Sequence, residues 1–208
     1  MENNKKKSLI PKAALIKAWL IWETFPQTCY NYERMMGQVV AHMFSTIIGF
    51  LYKDDPSKRK EVMKREIEFF NVHIEFGSCI LGMAVALEEQ KAMGENIPGE
   101  FITNLKTSLM GPLAGMGDTI WQGVVIPILL AVCIDLTRSG SGNVWGAVIY
   151  AVVIVVAAYA LSYWNFMFGY KAGSEAIMDF LEKGILNKLI KGASIMGCMV
   201  MGGLIVNY

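Results

Sequence analysis

From Ser139 to Tyr170 the chain carries no Asp, Glu, Lys or Arg, and the middle of that run reads VWGAVIYAVVIVVAAYALSYWNFMF. A helix needs roughly 20 consecutive apolar residues to cross the hydrocarbon layer of a bilayer, so Val144 to Phe168 is long enough to span it with some tilt. A strand of this length is excluded, because an unpaired strand in lipid leaves its backbone N–H and C=O groups without partners, whereas a helix satisfies its own. Tyr163 and Trp164 suit an interfacial belt at one end of the span and Trp145 at the other. Two further stretches are nearly as apolar: Thr107 to Ile134 contains one charged residue, Asp118, and Gly192 to Tyr208 contains none. A soluble chain with three such runs would need far more polar sequence to cover them than the 18% of charged residues present here. The expectation is an all-α, polytopic integral membrane protein, with residues 1–208 forming a single membrane domain.

Charge is local rather than global. A formal net charge of +1 lacks the basic excess of a nucleic-acid-binding protein. Lys5, Lys6, Lys7, Lys12 and Lys17 cluster at the amino end, and Lys171, Lys183, Lys188 and Lys191 follow the long apolar run. The positive-inside tendency places both regions in the cytoplasm, with the basic linker Lys53 to Arg65 also to be accommodated. Cys29, Cys79, Cys133 and Cys198 are widely separated, form no CxxC pair and read as packing residues. No small-residue cleavage pattern follows the first apolar segment, so no cleavable signal is expected.

The remaining segments punctuate clearly. Pro11 suits the first turn of a helix, and Ala13 to Trp22 gives an apolar face broken by Lys17, predicting an amphipathic helix at the membrane interface with Trp19 and Trp22 among lysines. The pattern breaks from Pro26 to Tyr32 and resumes from Tyr32 to Tyr52, predicting a helix in a packed bundle that carries Glu33, Arg34, Gln38 and His42. Asp54-Asp55-Pro56 starts another helix, whose run KRKEVMKREIE predicts a water-exposed face. Apolar sequence resumes at Phe69, pauses at Asn71-Val72-His73 and continues from Phe76 to Leu87. Gly94 to Gly99 reads as a loop, and Ser174 to Lys191 as an amphipathic surface segment.

The segment MGPLAGMGDTIWQGVVIPI, Met110 to Ile128, holds Gly111, Gly115, Gly117, Gly123, Pro112 and Pro127. Glycine and proline at this density predict a structural break at Gly111, Pro112, Gly115 and Gly117, forming discontinuous or re-entrant helices. Unwound backbone in lipid costs several kcal/mol per unpaired group, so such a break must face protein, water or substrate. Transporters build midplane sites in this way. Asp118 then has two open readings: with Thr119 it caps the next helix, or it contacts a ligand. A charged residue inside a membrane helix costs roughly 2.5–3.5 kcal/mol on insertion scales and is a functional candidate by default. Gln122, four residues on, shares its helical face.

Two other polar clusters stand out. In Asn31-Tyr32-Glu33-Arg34-Met35, adjacent Glu33 and Arg34 point apart on a helix and take separate partners. In Phe69-Phe70-Asn71-Val72-His73, followed by Glu75, a lone His beside an Asn reads as a hydrogen-bonded packing residue, with no second His at metal-ligand spacing. No nucleophile elbow, Walker loop or pair of catalytic carboxylates is present, so no catalytic residue, metal or cofactor is expected.

Five blocks in order, NYERM (31–35), FFNVH (69–73), ILGMAVALEE (80–89), MGPLAGMGDTIWQG (110–123) and GASIMGCMVMGGLI (192–205), give the chain a family resemblance. It resembles the IID membrane component of the mannose/fructose/sorbose family of bacterial phosphotransferase system (PTS) sugar permeases. The resemblance implies a IIC membrane partner, IIA and IIB phosphocarriers that pass phosphate to a hexose or related sugar, and a trimer of IIC–IID heterodimers in the bacterial cytoplasmic membrane. It also implies that phosphorylated histidines lie on IIA and IIB, so that His42 and His73 carry no phosphate. On this reading the substrate path includes Asp118, Thr119 and Gln122, together with Asn31, Glu33 and Asn71. The alternative is a structural subunit that braces a sugar-binding IIC. Relatives continue through another apolar segment beyond the last block, so a fragment or short variant is expected. After the Gly-Asp pair, Thr119, Ile120, Trp121 and Gln122 replace the family's frequent Ser and aromatic-Gly residues.

Overall fold

A computed structural model describes residues 8–139, 144–175 and 195. The segment Ser174 to Lys191 and the last apolar block fall almost wholly outside the described residues. Those described form helices α1 (Lys12–Thr24), α2 (Gly37–Ser45), α3 (Ile48–Leu51), α4 (Pro56–Glu66), α5 (Ile74–Ala92), α6 (Gly99–Gly117), α7 (Ile126–Ser139) and α8 (Trp145–Glu175). A π-helical segment, Asp118–Val125, joins α6 to α7. Among the described residues the only β-type pairings are isolated bridges at Asn31, Met35 and Phe70.

Two stretches are long and apolar enough to cross a bilayer: Gly99–Thr137, 39 residues, and Trp145–Gly173, 29 residues. At 1.5 Å per residue they extend about 58 Å and about 43 Å, against a hydrocarbon core of roughly 30 Å. Only 17% and 11% of their most apolar windows are buried within the chain, whereas the core helix of a soluble protein would be mostly covered. Val152, Val155 and Val156 on α8, and Ile128, Val132 and Leu136 on α7, all face outward.

The glycine-rich segment departs from its expected break. Helix α6 continues through Gly111 and Pro112, and the chain stays helical through the π-segment into α7. In lipid a helix that loses one hydrogen bond to proline is cheaper than an unwound stretch that loses several, and a widened π-turn absorbs the irregularity. The Thr119 hydroxyl donates to the Gly115 carbonyl at 2.7 Å, where the backbone ladder changes register. Asp118 sits at φ −60° and ψ −40°. It is inside the helix and makes no capping bond, which removes the helix-cap reading.

Helix α5 lies along the carboxyl half of α8, and glycine sets their separation. A Cβ on Gly82 would meet the Phe166 carbonyl oxygen at 2.1 Å, and one on Gly169 would meet that of Cys79 at 2.0 Å. Small residues at such crossings are the usual means by which membrane helices gain close contact. Around the crossing Ser78 and Ser162 join hydroxyls at 2.7 Å. Trp19 Nε1 donates to Ser162 at 2.9 Å, and Trp22 Nε1 to Ser78 at 3.0 Å. Both tryptophans are buried. Helix α1 therefore turns them into the protein, not toward the interface as expected, because the indole N–H groups find hydroxyl partners between α5 and α8. Glu89 fixes the start of α1: its Oε1 accepts the Leu9 and Ile10 N–H groups at 2.6 and 3.0 Å.

The expected helix from Tyr32 to Tyr52 resolves into a turn followed by α2 and α3. Asp55 caps α4 as its sequence suggests, accepting the Lys58 N–H at 3.0 Å ahead of Pro56 at the first turn. The charged run does present a water-exposed face, at Lys58, Lys60, Glu61 and Lys64, and the opposite face is covered. Arg65 and Glu66 are buried there. Arg65 Nε donates to Glu88 Oε1 at 2.9 Å, and Lys106 Nζ to Glu66 Oε2 at 2.8 Å, tying α4 to α5 and α6. Burial, and then the neighbouring Glu66 carboxylate, push the Glu88 carboxyl up to about 6 against the pull of Arg65.

Removing one partner of a buried ion pair strands the other. Lys106→Met should destabilise the detergent-solubilised chain by about 3–5 kcal/mol, and adding Glu66→Leu should recover most of the loss. Unfolding transitions of the two variants measure both effects.

Candidate functional site

An open pocket of about 510 Å³ lies where the π-segment faces the residues leading into α5. Ala114, Asp118, Gln122 and Ile126, spaced by four along the continuous helix, form one wall together with Trp121. Asn71 to Glu75 form the opposite wall, and Gln27 and Met36 close the rim. The lining thus mixes two carboxylates, three amides, an imidazole and an indole with apolar surface.

Gly117 brings the walls together. A Cβ there would lie 2.3 Å from His73 Cγ and 2.4 Å from His73 Cβ, so the helix rests on the imidazole ring. The His73 ring meets Phe76 edge-on at 5.7 Å, and its Nδ1 lies 3.0 Å from Glu75 Oε2 without an aligned hydrogen bond. Asn165 of α8 donates to the Glu75 carbonyl at 3.1 Å, holding that turn in place. At the rim the Tyr30 hydroxyl donates to Asn71 Oδ1 at 3.1 Å. Among the described residues no cluster of three or more His, Cys, Asp or Glu side chains is arranged to hold a metal ion.

A sequence profile of the PTS system mannose/fructose/sorbose family IID component (EIID-AGA) matches residues 9–208. The chain belongs to this family. It is 38% identical to the PTS system mannose-specific EIID component of Escherichia coli (strain K12), over 86% of this chain and 62% of that protein. It is 33% identical to the fructose permease IID component of Bacillus subtilis (strain 168), over 98% of this chain and 72% of that relative. A cryo-EM structure of the mannose transporter ManYZ in complex with microcin E492 (MceA) superposes with a TM-score of 0.83 at 32% identity, covering 97% of this chain and 72% of that one. The chain thus spans less than two thirds of the E. coli protein it matches.

In this IID chain three of the residues singled out from the sequence, Asp118, Gln122 and Asn71, line one pocket. Thr119 does not: it is buried, with its hydroxyl turned back onto Gly115. Asn31 and Glu33 lie outside the pocket, in a turn. Asn31 Oδ1 accepts the Glu33 and Arg34 N–H groups at 3.1 and 2.9 Å. Glu33 and Arg34 meet each other at 3.3 Å, contrary to the separate partners expected on a helix, because a turn lets neighbouring side chains converge. Sequence reasoning left Trp121, Glu75, His73 and Gln27 out of the site. The i, i+3 spacing of Trp121 from Asp118 signals a shared face, whereas nothing in the local sequence of Gln27 does.

The glycines of the block have separable roles. Gly117→Ala must displace His73 and should lower the stability of the solubilised subunit by about 1–3 kcal/mol. A Cβ at Gly111 or Gly115 meets nothing within 4 Å. Gly111→Ala and Gly115→Ala should leave stability unchanged or raise it by up to about 1 kcal/mol through helix propensity. Thermal unfolding of the three single variants gives the comparison.

Proposed function

We propose that this chain works with a IIC subunit to bind and translocate a hexose or related sugar, coupled to phosphorylation by IIA and IIB, and that the pocket at Asp118 forms part of the sugar path. The observation that carries this reading is convergence: Asp118 and Gln122, neighbours on one helical face, meet Asn71 from a distant segment of the chain in one cavity beside Trp121. Sugar hydroxyls donate to a carboxylate and exchange hydrogen bonds with amides. Their C–H faces pack on an indole ring. Half of the lining residues are polar, a larger share than in most small-molecule pockets and one suited to a ligand built of hydroxyl groups.

The chain contributes no phosphoryl carrier on this reading. His73 is buried beneath Gly117 and beside Glu75, which supports a packing and positioning role rather than attack on a phosphocarrier. The outward apolar faces of α7 and α8 supply surface for lipid and for the IIC partner. Residues 1–208 act as one IID-type domain in the bacterial cytoplasmic membrane, with the lysine-rich amino end cytoplasmic and IIC–IID pairs assembling further as a trimer. The bracing alternative predicts polar groups buried against lipid-facing helices or the IIC surface and not gathered at a cavity; Asn31 and Glu33 lie outside the pocket. The grouping at Asp118 favours transport.

Asp118→Asn keeps the shape of the side chain and removes its charge. Sugar uptake by a reconstituted IIC–IID pair supplied with IIA and IIB should fall by about tenfold to a hundredfold, the range of a lost hydrogen bond to a charged group. Co-purification with IIC should persist. Uptake at the wild-type rate would return the chain to the bracing role.

A further inference from the structure

The side chains that line the pocket carry negative charge without a matching cation. Asp118 and Glu75 supply two carboxylates, and no Lys or Arg is found among the described lining residues. Cations on adjacent elements are engaged elsewhere: Arg34 with Glu33 at 3.3 Å, and Lys106 with Glu66 at 2.8 Å. His73 is the one lining side chain able to become cationic, and its Nδ1 lies 3.0 Å from Glu75 Oε2, where any positive charge is matched locally. A buried oxygen of Glu23 behind this wall has no hydrogen-bond partner among the described residues.

Acceptors of this kind treat a sugar and its phosphate ester differently. Each hydroxyl of a neutral sugar can donate to a carboxylate oxygen. A phosphate monoester carries about −1.5 to −2 charges at neutral pH and offers mainly acceptor oxygens, so it meets the same carboxylates with repulsion. Inside a partly desolvated pocket that repulsion is several times stronger than in water.

We propose that this pocket discriminates by charge, taking the neutral sugar and rejecting its phosphorylated product, so that phosphorylation itself weakens the hold of the membrane subunits on the molecule they have carried. The inference rests on the sugar-binding reading above and adds a direction to it. Asp118 and Glu75 are the specificity-determining groups: hydrogen-bond acceptors toward the substrate and an electrostatic barrier toward the product.

The test uses the purified IIC–IID pair in lipid nanodiscs, with binding of labelled mannose or fructose competed by the unlabelled sugar and by mannose 6-phosphate or fructose 1-phosphate. In the wild-type pair the ester should compete at least about tenfold more weakly than the free sugar. Asp118→Asn should narrow that gap, and Asp118→Asn with Glu75→Gln should bring it to within about threefold by strengthening ester binding, a gain that misfolding cannot imitate. Raising salt from roughly 50 mM to roughly 500 mM should narrow the wild-type gap through screening, and this arm needs no variant. A wild-type ester that competes as well as the sugar, or a gap that neither Asp118→Asn nor salt alters, would overturn the discrimination while leaving the sugar site standing. Failure of both free sugars to bind the pair would overturn the sugar site and this inference together.

Discussion

The close approach of α5 and α8 sets the geometry of the rest of the structure. Between helices in lipid there is little hydrophobic driving force, because lipid tails are as apolar as leucine, so contact depends on fine packing and on hydrogen bonds across the interface. Gly82 and Gly169 provide the first by letting each backbone lie against a carbonyl of the other helix. The second follows from the same separation: Ser78 and Ser162 come within 2.7 Å, and the two buried indoles of α1 close over them. Asn165, three residues from Ser162 on α8, reaches the Glu75 carbonyl. One wall of the pocket is therefore positioned by a glycine crossing that does not itself touch the pocket.

Gly117 repeats the device on the opposite wall. With a side chain there, α6 would stand off from His73, and the Asp118 face would no longer oppose Asn71 to Glu75. The π-segment begins one residue later and widens the helix where Asp118, Trp121 and Gln122 line the cavity. Toward the middle of α6, Lys106 pairs with Glu66 of α4, while Arg65 reaches Glu88 of α5. The helix that leads into Asp118 is thus fixed by an ion pair toward its middle and by a glycine contact at the pocket.

Much of this was legible in the sequence, and what was not shares a cause. The charge-free run before Tyr170, the Asp55-Pro56 helix start and the loop near Gly94 are local signals, and each corresponds to the structure; Gly94 adopts φ +97°. The glycine-rich block misled because glycine serves two ends, freedom of φ and absence of Cβ, and composition cannot separate them. Gly117 is there for the missing Cβ. Trp19 and Trp22 misled because the apolar face of a helix looks the same whether it meets lipid or protein. The water-exposed face of the charged run was legible, but the burial of Arg65 and Glu66 on its other side was not, because their partners, Glu88 and Lys106, lie on other helices. At the candidate site, Asp118 and Gln122 share a helical face that spacing alone reveals, whereas Gln27 reaches the rim only through the path of the chain after α1.

Two charged residues of the long apolar helix meet the cost of desolvation in opposite ways. Lys106 is buried and matched by Glu66 at 2.8 Å, an arrangement that serves the fold. The Asp118 side chain makes no hydrogen bond or ion pair among the described residues and stays open to the pocket. A carboxylate kept only for packing would be expected to have acquired a partner as Lys106 has, or to have been replaced by an apolar residue at no loss of stability. An acid left unmatched among the described residues on a membrane-length helix, beside an indole and facing the Asn71 amide across a cavity, is instead placed to receive donors from outside the chain. That contrast supports the sugar-path reading more strongly than the glycine-rich motif around it, because it depends on where the charge ends up and not on the irregularity of the helix that bears it.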